Sequence, residues 1–431
     1  MNSGDTAWVL VSAALVMLMT PGLALFYGGM VRSKNVLSTV MQSMFCLGLV
    51  SVLWVIVGYS LAFGPDVHGL IGNLNWAFFN GVGQTPAAAL APTIPAIAFA
   101  CFQMFFAVIT PALITGAFAE RLKFSSFAVF TSLWLLLIYC PLAHWVWAPG
   151  GWLHTLGALD FAGGTVVHIN AGVAGLAAAL IIGKRRGLGQ KELLPHNIPL
   201  TVLGASLLWF GWFGFNAGSA LTAGGLASQA FLNTNTATAA ALLGWVLVDV
   251  ITHRRGTTMG AISGAIAGLV AITPAAGFVN PMGSLVIGLA AGVVCAYAVR
   301  IKHVLGYDDA LDVVGVHMVG GIIGALLIGF FGTVAVNAAG ANGLFFGGGL
   351  ALLGKQAIAV GTTLVFTFVG SFILLKLIDM TMGLRVSAEH EETGLDIALH
   401  AERAYTDDSD EEDEPTESLP ESAGALASSS N

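Results

Sequence analysis

The chain has 431 residues, of which 56% are hydrophobic and only 9% charged. A water-soluble globular chain carries roughly a quarter charged residues, so that class is excluded, as are disordered, collagenous and disulfide-stapled chains. The net charge of −8 is unevenly spread: residues 387–431 hold 14 acidic groups and one basic, leaving 15 basic and 10 acidic for the rest and no basic stripe for a nucleic acid.

Apolar runs long enough to cross the roughly 30 Å hydrocarbon core of a bilayer follow one another along the chain. In order they are 6–30, 36–63, 94–119, 124–143, 161–183, 198–219, 226–251, 258–274, 282–301, 310–333 and 357–381. The reading is an all-α polytopic membrane protein with eleven transmembrane helices. The first run lacks the basic n-region and A-x-A site of a signal peptide, so it is read as retained. Cys46, Cys101, Cys140 and Cys295 lie far apart in apolar runs without metal-ligand spacing. They read as small buried apolar residues, and no metal or cofactor is expected.

An odd number of spans places the termini on opposite sides. With the N-terminus outside, Arg32, Lys34, Arg121, Lys123, Lys184, Arg185, Arg186, Lys191, Arg254, Arg255, Arg300, Lys302, Lys376, Arg385 and Arg403 all fall on the inner side, and of 16 basic residues only Lys355 falls outside. That is the positive-inside bias of a multi-pass plasma-membrane protein with a cytoplasmic C-terminus. Trp76, Trp145, Trp147 and Trp152 fall in the outer connections 64–93 and 144–160, where an interfacial aromatic belt is the ordinary reading.

Spans one to five and six to ten pair as two halves, about 6–183 and 198–333, with the eleventh (357–381) outside the repeat. Each half ends in a span with one histidine and an aspartate eight residues earlier, Asp160 with His168 and Asp309 with His317. Glycines follow at matching offsets, Gly172 and Gly175 against Gly321 and Gly324. Five spans per half makes the copies inverted, an arrangement that builds transport paths at its interface. Ionisable groups at membrane depth are costly and mark function, which singles out His168, His317 and Asp160. Asp160 either caps its helix or faces a cation directly. Asp309 and Asp312, and Asp249 beside Arg254 and Arg255, read as ordinary interfacial ion pairing. The glycines 347–349 lack the lysine and Ser/Thr of a nucleotide loop, and no catalytic serine constellation is present, so an enzyme is not expected.

These residues resemble the ammonium transporter (Amt/Mep/Rh) family in its bacterial and archaeal Amt branch. The resemblance runs from about Thr6 to Tyr405 and is carried by DFAGGTVVHINAGVAGLAAALIIGKR (160–185), PGLALFYGG (21–29), GAFAERLKF (116–124), WFGWFGFNAGSA (209–220) and DVVGVHMVGG (312–321). It implies an eleven-span homotrimer with one conduction path per subunit for ammonium or ammonia. Residue by residue, it implies an outer ammonium site at Trp147, Phe106 and Ser219. It implies a gate of stacked rings at Phe106 and Phe215, a pore wall at Trp212, paired pore histidines at His168 and His317, and a structural carboxylate at Asp160. An ammonium ion finds a cation–π face on tryptophan and an acceptor on a hydroxyl. It can shed its proton to cross an apolar pore as ammonia, as potassium cannot.

The membrane domain is thus taken as 1–384. The segment 385–405, RVSAEHEETGLDIALHAERAY, resembles the family's cytoplasmic regulatory region, which in many members receives a trimeric PII-type signal protein. Ala401 stands there where glycine is usual. The acidic end 406–431 has the composition of a disordered tail. The reading is an ammonium transporter; the rivals are an ammonium sensor acting through a PII-type partner and a neutral-gas channel of the Rh type. Single cysteines introduced at Ser3 and Ser418 test the orientation: an impermeant reagent on intact cells should label the first and spare the second, and the opposite pattern would overturn it.

Overall fold

The computed structural model describes residues 1–87, 89–190 and 193–405, so the expected acidic tail 406–431 lies outside the described residues. Ten described helices have the length and apolarity to cross a bilayer. They are α1 (Ser3–Met30), α2 (Ser33–Phe63), α3 (Ala96–Phe118), α4 (Phe124–Leu156, broken over 148–151), α5 (Gly164–Ile182), α6 (Ile198–Gly218), α7 (Gly225–His253), α9 (Pro281–Leu305), α10 (Val314–Phe331) and α11 (Ala351–Met382). Between them α8 (Thr258–Ile272) has 15 residues, about 22 Å at 1.5 Å per residue. The predicted run 258–274 therefore shortens at its end, because Thr273 and Pro274 stop the helix. The turn beyond is non-helical yet buried, which an apolar setting tolerates only where protein supplies partners. Asn233 supplies them, donating to the carbonyls of Ala276 at 2.8 Å and Val279 at 2.7 Å.

Local signals set the helix starts. Asn2, Asn197 and Asn280 each turn a side-chain oxygen onto free amides at the openings of α1, α6 and α9, and Pro281 occupies the first position of α9. The first helices of the two halves, α1 and α6, lie against each other so closely that a Cβ on Gly204 would strike the Phe26 backbone. Four spans contain a π-turn: Trp54–Gly58 in α2, Leu135–Tyr139 in α4, Gly164–Ile169 in α5 and Val314–Met318 in α10. The last two contain the histidines. Such one-residue insertions re-aim side chains and recur at functional sites.

The outer connection after α2 holds two small hairpins, Asp66–Val67 with Ile71–Gly72 and Pro86–Ala87 with Ala91–Pro95. Trp76 stacks on Tyr59 at 5.7 Å, and the Trp145 indole donates to Leu70 O at 2.7 Å. Trp145 and Trp147 sit on α4, whose helix runs on through Trp147, rather than in a connection beginning at 144.

The opposite face is held by charge. Arg32 grips Glu120 through its guanidinium and backbone N–H, and Arg185 makes paired 3.0 Å bonds to Asp308. Asp249 pairs with Arg300 at 3.8 Å and accepts from Thr257 at 2.7 Å, rather than pairing with Arg254 or Arg255. The C-terminal segment runs across this face as α12 (Ala388–Thr393) and α13 (Leu395–His400). Val386 N donates to Arg121 O at 3.0 Å, the Glu391 carboxylate takes Arg385 and the Arg186 amide, and Asp396 caps Ser38 N at 2.8 Å. Ala401 ends α13 in the left-handed region at φ 54°, so it adopts the glycine conformation at a cost of roughly 1–2 kcal/mol.

Burial alone would raise the Glu120 and Asp308 carboxyls. Hydrogen bonds from Arg32 and Arg185, with neighbouring guanidinium charge, overcome it and hold both below their ordinary values of 4.5 and 3.8. The folded form therefore binds these protons less readily than an opened one. Their stabilisation is complete above those ordinary values and is lost as pH falls through the depressed ones. The melting midpoint in detergent should hold steady from pH 7 to about 5 and drop below about 4. The drop should be smaller in Glu120→Gln, and an equal drop in that variant would refute the assignment.

Candidate functional site

The two histidine helices open with the same device. In α5 the Asp160 carboxylate accepts the amides of Gly163, Gly164 and Thr165, each at 2.7 Å, together with the Thr165 hydroxyl. In α10 the Asp309 carboxylate accepts Val313 N at 3.1 Å and Val314 N at 2.7 Å. Asp309, read from sequence as an interfacial ion-pair residue, is instead buried as the counterpart of Asp160, while Asp312 takes the ion pair with Lys302 at 2.6 Å. Asp160 does not line the outer cavity; of the two roles open to it, its oxygens are engaged in the cap.

The caps place a π-turn, and each π-turn aims one imidazole inward. His168 and His317 meet Nδ1 to Nδ1 at 3.3 Å, with ring centroids 5.4 Å apart and planes inclined by 22°. Both rings are buried. The helices reach this approach because a Cβ on Gly172 would enter the Met318 backbone, and one on Gly321 would lie 3.0 Å from Gly164 O.

Proton accounting at Thr273 favours one tautomer of the pair. The Thr273 hydroxyl donates to Leu269 O at 2.7 Å, so its oxygen receives Trp212 Nε1–H at 2.8 Å and His168 Nε2–H at 3.3 Å. A neutral His168 with its proton on Nε2 has a bare Nδ1, and the facing Nδ1 of His317 therefore donates. Nε2 of His317 is left as an acceptor. In this tautomer the two rings and Thr273 form one chain of hydrogen bonds. Thr273 escaped the sequence reading, although a lone hydroxyl before Pro274 at the end of an apolar run was a signal for it.

Around the pair lies a narrow enclosed cavity of about 10 Å³, lined by Leu23, Ile109, Leu113, Trp212, Phe215 and the two histidines among others. That is room for roughly one water-sized molecule. Trp212 stacks on His168 at 5.3 Å. Above it Phe106 and Phe215 stack at 4.2 Å with planes 29° apart, both buried, and close the way outward. On the far side of that stack opens a cavity of about 270 Å³ bearing Trp147, Phe106 and Ser219. Trp147 stands edge-on to Phe106 at 6.0 Å. Its indole N–H is committed to Asp160 O at 3.0 Å, and the Ser219 hydroxyl to Phe215 O at 2.8 Å. With those donors used, the ring face and a hydroxyl lone pair are left to the cavity. Such a surface suits a small cation with N–H bonds. No group of three or more potential metal ligands clusters among the described residues.

The sequence model of the Ammonium Transporter Family matches residues 7–405. The chain belongs to the ammonium transporter family. It is 53% identical to an ammonium transporter of Bacillus subtilis over 408 residues, covering 94% of this chain and all of the relative. The crystal structure of Saccharomyces cerevisiae Mep2 superposes with a TM-score of 0.85 at 38% identity, covering 90% of this chain and 88% of that one. A protein described as a sensor Amt protein superposes at 0.83 with 32% identity, covering 92% and 98%. The transporter is therefore a multi-pass membrane protein that handles ammonium, and not an enzyme.

Proposed function

We propose that this transporter recruits ammonium at Trp147, Phe106 and Ser219, strips its proton, and passes ammonia through the path lined by Phe215, Trp212, His168 and His317. The observation that carries the reading is the sequence of environments along one line. An acceptor-bearing aromatic cavity is followed by a stacked pair of rings, and then by a narrow, largely apolar slot with two facing imidazoles. A whole ammonium ion meets a large desolvation cost in such a slot, whereas ammonia meets little, and potassium has no neutral form. The histidine pair can bond ammonia and hand a proton along its chain of nitrogens. The family resemblance carries the further reading that one such path runs through each subunit of a homotrimer. The basic-residue bias supports placement in the plasma membrane with the C-terminus in the cytoplasm, and the matching caps and π-turns of α5 and α10 support the two-half reading.

Reconstituted protein subjected to an ammonium jump, with potassium as control, tests the path. Trp147→Leu and Ser219→Ala should raise the half-saturating ammonium several-fold, as loss of a cation–π contact of ~0.5–2 kcal/mol requires. His168→Leu with His317→Leu should abolish flux. Unchanged saturation in the first two, or full flux in the double leucine variant, would overturn the mechanism.

We further propose that 385–405 is the docking region for a cytoplasmic PII-type partner. Its exposed Glu389 and Glu402 lie on the face that also carries the inner basic residues. Deletion from Arg385 onward should remove such a partner from pull-downs of the same cells; full retention would refute the assignment.

A further inference from the structure

The outer end of α4 is held by a pair of side chains that the conduction path does not use. His144 lies one turn before Trp147; its side chain is 0% exposed, and that of its partner Asp66 is 33% exposed. Its Nδ1 lies 2.9 Å from the Ala62 carbonyl oxygen at the end of α2, and its Nε2 lies 2.8 Å from Asp66 Oδ1. A carbonyl only accepts, so Nδ1 carries a proton, and the second contact needs another between Nε2 and the carboxylate. The hydrogen bond from His144 is the main cause that holds the Asp66 carboxyl below its ordinary 3.8. With Asp66 ionised, the bridging proton sits on the imidazole. The same hairpin grips the rest of this corner. Asp66 accepts Gly69 N at 2.9 Å, Gly69 O accepts Trp152 N at 3.2 Å, and a Cβ on Gly150 would strike the Asp66 side chain. Trp147 therefore lies midway between two points, 144 and 150, that both rest on Asp66.

We propose that the Asp66–His144 pair positions the outer recruitment site, holding Trp147 in place only while a proton bridges the two side chains. This rests on the recruitment reading above. Neither residue lines the outer cavity; both act through Trp147, whose ring faces the cavity and whose indole bonds to Asp160 O. When Nε2 loses its proton, its lone pair faces a carboxylate oxygen at 2.8 Å, and attraction becomes repulsion. The corner then loosens, and the site holds ammonium less well as outside pH rises. The other titratable groups on the elements packed here are Tyr59 on α2, His68 in the hairpin, Cys140 on α4, His154 beyond the break in α4 and His168 on α5. Of these, only His68 adds to the charge acting on Asp66.

The test uses purified full-length protein in proteoliposomes, with ammonium flux followed against ammonium-ion concentration at about pH 6 and about pH 8. Asp66→Asn supplies an amide that accepts from a protonated Nε2 or donates to a bare one, so its bond survives at both. Relative to that variant, the parent's half-saturating concentration should rise about threefold or more over the range, with maximal flux changed less. Asp66→Ala should saturate at the parent's higher value at both pH values, and His68→Gln should keep the parent's pH dependence. One shared pH profile for the parent and Asp66→Asn would overturn the proposal. So would parent-like saturation of Asp66→Ala at the lower pH, or loss of the pH dependence in His68→Gln. If the alanine variant fails to fold, the parent and asparagine profiles decide by themselves. Trp147→Leu run in parallel separates the two readings. If it shifts saturation and the Asp66 variants do not, the assignment of the pair alone is wrong. If it does not, the outer site is misplaced and the role of the pair falls with it.

Discussion

Two helices cross where their backbones touch, and most of the interior follows from that contact. Gly172 lies on the Met318 backbone, and Gly321 on Gly164 and Ile169. Any side chain at these positions would separate α5 from α10 and move the imidazoles out of bonding range. Glycine normally weakens a helix by about 1 kcal/mol relative to alanine. Here that loss is offset by dispersion contacts between two backbones and by a hydrogen bond at the centre. In an apolar medium, close approach is the main attraction available between helices.

Polar groups are the second constraint, since a bilayer offers them no water. The π-turn of α5 frees backbone groups, and a specific side chain takes one up. Asn170 donates to Val166 O at 3.0 Å in α5, and is itself held by the Thr367 hydroxyl of α11 at 2.7 Å. Higher on α11, Gln356 accepts Leu159 N at 2.7 Å and donates to the carbonyls of Leu159 and Ala325 at 2.8 and 2.9 Å. The eleventh helix thus braces the segment bearing Asp160 and the turn bearing His168. It also ties that half to α10 through Ala325.

Hydropathy was enough to read the helices, because each run answers to one global constraint, the thickness of the bilayer. Ends were read less well: the buried turn beyond Ile272 is as apolar as the helix before it, and the fourth helix runs on past 143 through Trp147. The paired histidines were legible because the repeat wrote the same spacing twice. The role of Asp309 was written by the same spacing and passed over, since a carboxylate near lysine and arginine also fits a surface ion pair. The partners of Thr273 and Gln356 were not legible. A single polar residue in an apolar run does not disclose which helix it will face, and their partners lie on helices distant in sequence.

The C-terminal segment is tied to the inner face at several separated places, among them Val386 at Arg121, Glu391 at Arg186, Asp396 at Ser38 and Tyr405 at His196. Each anchor holds the next at high effective concentration, so breaking one sets free only a few residues and gains little chain entropy. Detachment is therefore cooperative. A competitor that weakens a single anchor leaves the segment seated, whereas one that engages all of them at once releases it whole, so the response to rising competitor follows a threshold rather than a gradual slope.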